Sequence, residues 1–327
     1  MSESSRVRVS YILSTLNRAD FLEKVLENVR EYITPEDELI IVDGASSDRT
    51  AEVVGKHRDI VRLFLSEPDR GEGHALNKGA LRAQGRYIKF LTDDDRLYPD
   101  AVRQAIAALQ AHPAIDALYC GGEHYIFDPE TKTERFWCYA WLPVGLVLTG
   151  AMRNSLWPSG FVACGVGLWL RRPTMERVGL LSAACLAVDI DYMGRLIEHG
   201  VEIRFLSVLL YRHIVYPHSQ FVNRQQESRR DEIRILARLG LWEEVLEGRY
   251  PPGQIFEALK LNRPAFFERL IIFWVRYQVR KNLTLRVLAA PLRWVWKGLG
   301  FIRGHLSPAR IPKSSPFDSP VWDGSLR

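Results

Sequence analysis

Residues 85–95 read Gly85-Arg86-Tyr87-Ile88-Lys89-Phe90-Leu91-Thr92-Asp93-Asp94-Asp95, a compact apolar run that stops at three consecutive carboxylates. The run predicts a strand over Arg86–Leu91. Three adjacent acids repel one another, so placing them together costs free energy unless solvent or a cation compensates. At a strand terminus they supply hard oxygen ligands suited to Mg²⁺ or Mn²⁺.

Working outward, the preceding segments alternate in the same way. Val7–Ser14 is a short run rich in β-branched residues, Phe21–Tyr32 carries Leu22, Val25, Leu26 and Val29 at helical spacing, and Glu38–Val42 is another compact apolar run. Val61–Ser66 predicts a third strand, followed by a turn at Gly71 and Gly73 and a helix from about His74 to Ala83. Strands alternating with helices imply a doubly wound, mostly parallel α/β sheet flanked by helices. Ligands of such sheets bind beyond the carboxyl ends of the strands. Here those ends read Ser14-Thr15-Leu16-Asn17-Arg18, Asp43-Gly44-Ala45-Ser46-Ser47-Asp48 and Thr92-Asp93-Asp94-Asp95. Asp, Ser and Gly also make turns and cap helices, so one such cluster alone decides nothing; three at successive strand ends point to a nucleotide site. No GxxxxGK[ST] is present and no GxGxxG follows the first strand, which disfavours P-loop nucleotidases and dinucleotide oxidoreductases. Diphosphate charge must then be handled by metal and by basic side chains such as Arg70 and Lys78.

The chain has 327 residues, 47% hydrophobic and 25% charged, enough for one large domain with an appendage. Its four cysteines (Cys120, Cys138, Cys164, Cys185) show neither CxxC nor zinc-finger spacing and read as reduced core residues. The start lacks the pattern of a secretory signal, so the expected location is the cytoplasm. Phe136–Met152 and Asn154–Leu170 are uncharged but contain Pro and Gly and fall short of a membrane span. They are expected to form buried strands and an apolar-walled cleft. Residues 254–313 hold twelve Lys or Arg against two Glu, so the formal net charge of +5 is a local feature.

Five ordered motifs now add up. They are Thr15-Leu16-Asn17-Arg18, Ile41-Val42-Asp43-Gly44-Ala45-Ser46-Ser47-Asp48-Arg49-Thr50, Ser66-Glu67-Pro68-Asp69-Arg70-Gly71, Ala75-Leu76-Asn77-Lys78-Gly79, and the run from Gly85 to Asp95 with Pro99 and Asp100 following. In order and spacing the chain resembles the inverting glycosyltransferases of family two, which have the GT-A fold and build bacterial surface polysaccharides. The resemblance covers about residues 7–102 and extends loosely to about residue 220. It implies a nucleotide-diphosphate-sugar donor of UDP, GDP or dTDP type, Mn²⁺ or Mg²⁺ as cofactor, and a glycan or lipid-linked acceptor. Thr15, Asn17, Arg18, Asp43, Arg70, Asn77, Lys78 and Asp93 are the implied donor-binding residues. Asp94 matches the second acid of the family's Asp-x-Asp and is the first choice as metal ligand, with Asp93 and Asp95 as alternatives. Thr92 stands where many members have Asp.

Inverting transfer needs a carboxylate to take the proton of the attacking hydroxyl. Asp189, ten residues after Gly179, matches the family's base, with Asp191 in reserve and Val188 where a Glu often precedes. Both acids equally suit the first turn of a helix. Of two histidines in the segment expected to fold over the metal, His218 is preferred to His213 because Ser219 follows it. Trp137, Trp141, Trp157 and Trp169 could stack on acceptor sugars or build core.

The expected organisation is a GT-A domain over 1–240, with a nucleotide-sugar half at 1–102 and an acceptor half at 103–240. A basic, aromatic helical extension follows over 250–310, then a flexible tail over 314–327. Basic aromatic helices suit an anionic membrane surface, which would make the protein peripheral on the inner face of the cell membrane, and no motif favours nucleic acid. Two alternatives remain open. One is a catalytically silent GT-A scaffold, suggested by Thr92 and Val188; the other is transfer to a polyprenyl phosphate.

Overall fold

The computed structural model describes residues 7–140, 165–217, 219 and 223–238. The described residues up to 232 belong to one compact unit. It opens as β1 (Val9–Thr15), α1 (Ala19–Arg30), β2 (Glu38–Asp43), α2 (Thr50–Lys56), β3 (Val61–Ser66), α3 (Glu72–Ala80) and β4 (Tyr87–Thr92). A two-residue strand β5 (Arg96–Leu97), helix α4 (Pro99–Ala111) and the hairpin β6 (Ala117–Asp128) and β7 (Thr133–Ala140) follow. Then come a 3₁₀ turn (Gly165–Gly167), β8 (Leu168–Arg171), α5 (Arg172–Val178), α6 (Val188–Glu198), β9 (Ile203–Val215) and α7 (Gln225–Arg238). The extension expected over 250–310, the tail, Trp141, Trp157, Cys164 and His218 lie outside the described residues.

The nine strands form one sheet in the order β3-β2-β1-β4-β8-β6-β9-β5, with β7 paired to β6. Its first half is parallel, as the alternation predicts. Beyond β4 the sheet becomes mixed: β8 runs antiparallel to β4 and β6, β9 runs parallel to β6, and β5 runs antiparallel to β9. Helix α2 carries no strong apolar period, and the sequence reading passed over it. An Asx turn leads into it, with Asp48 accepting hydrogen bonds from Thr50 N (3.0 Å) and Thr50 Oγ1 (2.6 Å), and Val53 and Val54 are buried.

Two layers of helix bury the parallel strands on both faces. Leu22, Val25, Leu26 and Val29 of α1, with Val102, Ala105, Ile106 and Leu109 of α4, share a core with Val9, Tyr11 and Leu13 of β1. On the opposite face α3 lies so close that a Cβ on Gly79 would meet Ile12 Cγ2 at 2.4 Å and Val42 Cγ2 at 3.2 Å. Buried polar contacts fix the start of β4: Ser10 Oγ donates to the Glu38 carboxylate and accepts from Gly85 N (2.8 Å), while Gln84 N donates to Glu38 Oε1 (2.6 Å). The resulting register sets Thr15 beside Asp43 and Ser14 beside Thr92, so all three polar strand ends open on one edge. Trp169 is fully buried, edge-on to Tyr11 at 6.1 Å, and is core rather than a sugar platform.

Gly79→Ala tests this packing. The substitution gains about 1 kcal/mol of helix propensity, but overpacking two β-branched core residues costs about 1–3 kcal/mol. The expected result in urea denaturation is a net loss of up to about 2 kcal/mol at unchanged m-value; a gain in stability would mean that α3 does not press on β1 and β2.

Candidate active site

Thr15, at the end of β1, donates its hydroxyl to Asp93 Oδ2 at 2.8 Å. Arg18, three residues on, bridges two acids: Nη1 lies 2.8 Å from Asp93 Oδ1 and Nη2 lies 2.9 Å from Asp94 Oδ2. Its guanidinium stacks on Phe21, 4.3 Å from the ring centre. The Thr92 hydroxyl is 2.9 Å from both Asp94 Oδ1 and Asp95 Oδ2, and Thr92 N donates to the same Asp95 oxygen at 2.9 Å. Asp93 is thus turned to Thr15 and Arg18, while Asp94 and Asp95 share the Thr92 hydroxyl.

The short strand β5 follows immediately and pairs with β9 at Arg96 and Arg212. That pairing sets His213 beside Asp95, with Nδ1 at 3.6 Å from Oδ1, too long for a hydrogen bond. Asp94, Asp95 and His213 can each offer one ligand atom, all within 4.8 Å of one another. His213 Nδ1 is buried and has no hydrogen-bond partner, and two carboxylates with an imidazole make a donor set fit for a divalent cation. Of the candidate ligands, Asp94 and Asp95 are in this cluster, whereas Asp93 is turned to Thr15 and Arg18. Among the described residues the histidine of the cluster is His213, on a strand; His218, which the sequence favours, lies outside them. What could have revealed His213 is its place in the apolar strand pattern of Ile203–Val215, opposite the segment after Asp95.

Asp189 sits in the first turn of α6, where Ile190 N (2.8 Å) and Gly165 N (3.3 Å) donate to its carboxylate. Burial raises its pKa, against those amides and nearby His213. Asp191, one turn face away, is buried and ion-paired with Arg195 at 3.0 Å, which commits it to the helix. Asn77 is committed too: Nδ2 donates to Leu181 O and Oδ1 accepts from Leu181 N, both at 2.8 Å. This clamp holds the approach to α6 against α3. A Cβ on the neighbouring Gly73 would strike Ser182 O at 2.4 Å, so only glycine permits the approach.

Asp43 is buried, and its carboxylate accepts from Ser46 N (3.1 Å), Ser46 Oγ and Ser66 Oγ (2.6 Å), fixing the loop after β2. Asn17, at φ 53°, stitches that loop to β1 by accepting from Ser47 N at 2.8 Å. Lys78 donates to Pro68 O (2.8 Å) and pairs with Glu67 (3.1 Å), while the Arg70 side chain is exposed.

Glu72, which the sequence reading missed, opens α3 and faces the same cleft. Its side chain keeps an exposed surface, and crowding by the protein around its carboxylate, then repulsion from Asp189, Asp95, Asp94 and Asp93, pushes it up to about 8. Asp93 is raised to about 7 by burial, Arg18 notwithstanding. His213 is also raised: burial opposes its charge, but Asp95, Asp94 and Asp189 outweigh that. Asp95 is lowered, because His213 and the Thr92 donors overcome burial.

A sign follows for stability without metal. Groups with raised native values bind more protons folded than unfolded, so their contribution is complete below about pH 4 for the acids and is lost as pH rises through 7–8. Asp95 acts oppositely, and only in acid. In EDTA the urea midpoint is therefore expected to fall from pH 5 to pH 8, to fall less in Glu72→Gln, and to be restored at pH 8 by millimolar Mn²⁺. A midpoint that rises over this interval in EDTA would contradict the charge arrangement.

Similarity to known proteins follows the same lines. Residues 10–179 match the glycosyl transferase family 2 profile. The putative teichuronic acid biosynthesis glycosyltransferase TuaG of Bacillus subtilis strain 168 is 33% identical over 151 residues, 45% of this chain and 58% of that protein. The succinoglycan biosynthesis protein ExoO of Rhizobium meliloti strain 1021 is 34% identical over 116 residues, 34% of this chain and 33% of that protein. The chain thus spans only about a third to three fifths of these relatives. Among solved structures, S. aureus TarS 1–349 in complex with UDP-GlcNAc gives a TM-score of 0.56 at 17% identity, covering 77% of this chain and 71% of that one. The mannosyltransferase PcManGT of Pyrobaculum calidifontis, in complex with GDP-Man and Mn²⁺, gives 0.51 at 20% identity, covering 89% and 81%. Both likenesses support the GT-A architecture. With a profile match over just over half its length, on a sheet whose parallel strands end in that family's motifs, the chain belongs to glycosyl transferase family 2.

Proposed function

We propose that the protein is a metal-dependent inverting glycosyltransferase that moves a sugar from a nucleotide-diphosphate donor to a glycan acceptor in bacterial surface-polysaccharide synthesis. The observation that carries this reading is the Asp94–Asp95–His213 cluster at the end of β4, with Asp189 facing the same cleft. The relatives named for teichuronic acid and succinoglycan synthesis support the pathway class, and the neighbours bound to UDP-GlcNAc and to GDP-Man with Mn²⁺ support the donor class.

Asp94, Asp95 and His213 would hold the cation, and the imidazole favours Mn²⁺ over Mg²⁺. A bound divalent ion supplies charge neutralisation at the departing diphosphate. Thr15 and Arg18 hold Asp93 at the ribose position, and Asp43 with Asn17 shapes the loop that receives the base. Arg70, whose side chain is exposed, would meet the diphosphate; Asn77 and Lys78 act by fixing the segments around it. Asp189, whose raised pKa makes it a stronger base than a free carboxylate, takes the proton of the acceptor hydroxyl. As that oxygen bonds to the anomeric carbon, the carbon–oxygen bond to the diphosphate breaks and its electron pair leaves with the nucleotide, inverting the centre. Asp191, bound to Arg195, keeps α6 in place.

The acceptor is proposed to be lipid-linked, a polyprenyl phosphate being one form of it. The support is the basic aromatic sequence over 254–306, suited to an anionic membrane surface on the cytoplasmic side. No helix among the described residues is long and apolar enough to cross a membrane.

Asp189→Asn is expected to lower kcat for transfer about 10²–10⁴-fold with little change in donor KM. Asp94→Ala should abolish the dependence of nucleotide binding on Mn²⁺ in calorimetry, and His213→Gln should raise the Mn²⁺ concentration for half-maximal activity. Wild-type rates in both Asp variants, or nucleotide binding indifferent to metal in the native protein, would replace the enzyme by a silent scaffold.

A further inference from the structure

Along the β6–β7 hairpin the pairing slips at one point: His124 lies opposite Cys138, but Tyr125 lies opposite Phe136. Trp137 is the extra residue of a β-bulge, a device that re-aims a side chain. The bulge sets the Trp137 indole edge-on to His124, with ring centres 6.3 Å apart and planes at 83°. His124 in turn meets the His213 ring at 5.3 Å. Trp137 therefore stands two ring contacts from the imidazole of the Asp94–Asp95–His213 cluster.

The support beneath the indole is rigid. His124 is buried, and its Nε2 lies 3.2 Å from the fully buried Tyr211 hydroxyl. Above this support Trp137 leaves 51% of its surface open. Phe136, the other open aromatic among the described side chains of the strand, packs on Tyr125, whose strand neighbour His124 faces the opposite side of the sheet. The two aromatics thus do not merge into the broad apolar patch that a second protein or a lipid surface would need. A single open indole beside a polar, charged cleft matches a pyranose, which offers one apolar C–H face and a rim of hydroxyls.

We propose that Trp137 is the platform for the acceptor's terminal sugar, stacking on its apolar face on the His213 side of the cleft, where Asp189 also stands. The inference rests on the transferase reading and adds the acceptor subsite to it. It commits to a carbohydrate with a pyranose end.

The test uses the full chain with Mn²⁺ and oligosaccharides of glucose, galactose, mannose and N-acetylglucosamine. Saturation-transfer NMR on the wild type should light the C–H protons of the terminal sugar of at least one glycan; Trp137→Ala should lose the signal and Trp137→Phe should keep most of it. With the nucleotide sugar that the enzyme turns over, Trp137→Ala should raise acceptor KM tenfold or more while donor KM stays within twofold. Wild-type contacts in Trp137→Ala, equal losses for donor and acceptor, or no contact between wild type and any of these glycans at millimolar concentration would overturn the platform. Failure of the transferase reading looks different: no nucleotide sugar is turned over by the wild type, whether or not glycan signals appear.

Discussion

Three consecutive carboxylates at the end of a buried strand are the constraint to which the cleft is built. In a medium of reduced polarity their repulsion would splay the segment after Leu91, and the fold removes that repulsion one acid at a time. Asp93 is taken by Thr15 and one arm of Arg18, Asp94 by the other arm and Thr92, and Asp95 by the Thr92 amide and hydroxyl with His213 alongside. These partners come from β1 and the turn after it, from β4 and from β9. The acids are therefore ordered only once the sheet has assembled, and the Ser10–Glu38–Gly85 contacts that fix the start of β4 bear directly on the geometry at its other end.

Thr92 takes on a different meaning in that setting. As a departure from the family's usual acid it argues for a silent domain when read as a letter. In the structure its hydroxyl reaches both neighbouring acids, and its amide holds one of them. A fourth carboxylate here would add repulsion where a donor now orders two ligands. On the proposed reading Thr92 is a positioning residue, and its presence favours the enzyme over the scaffold.

The parallel half of the fold was legible because each strand is short, apolar and closed by turn-forming polar residues, a pattern local in sequence. The same locality singled out Thr15, Arg18 and Asp94, which the structure brings together, and Asp189, which it sets near His213. What escaped depends on pairing across long sequence separations. His213 comes to Asp95 through the pairing of β9 with the two-residue strand β5, too short to leave a periodic signal, so nothing local marked His213 out. Asn77 looked like a ligand because it sits in a motif, yet its amide matches the backbone of Leu181, more than a hundred residues away. Glu72 was invisible for the complementary reason: one acid after a glycine turn is ordinary until Asp189 and the three acids of β4 are set around it.

The charge of the assembled cleft then constrains the order of events on the proposed reading. Glu72, Asp93, Asp94, Asp95 and Asp189 face Arg18 and His213, an excess of negative charge in the very place that must receive a diphosphate. Protonation of Glu72 and Asp93, whose values stand near 8 and 7, relieves that excess only in part at neutral pH. A nucleotide sugar approaching the metal-free cleft is repelled, whereas one approaching the charged cluster with its cation is attracted. Because the coupling between two ligands is reciprocal, the donor must strengthen cation binding by the same factor by which the cation strengthens donor binding. An acceptor resting on a neutral, open indole stands outside this exchange. Donor and acceptor thus enter by different physics: one by charge, the other by the apolar face of a sugar, with only Asp189 answering to both.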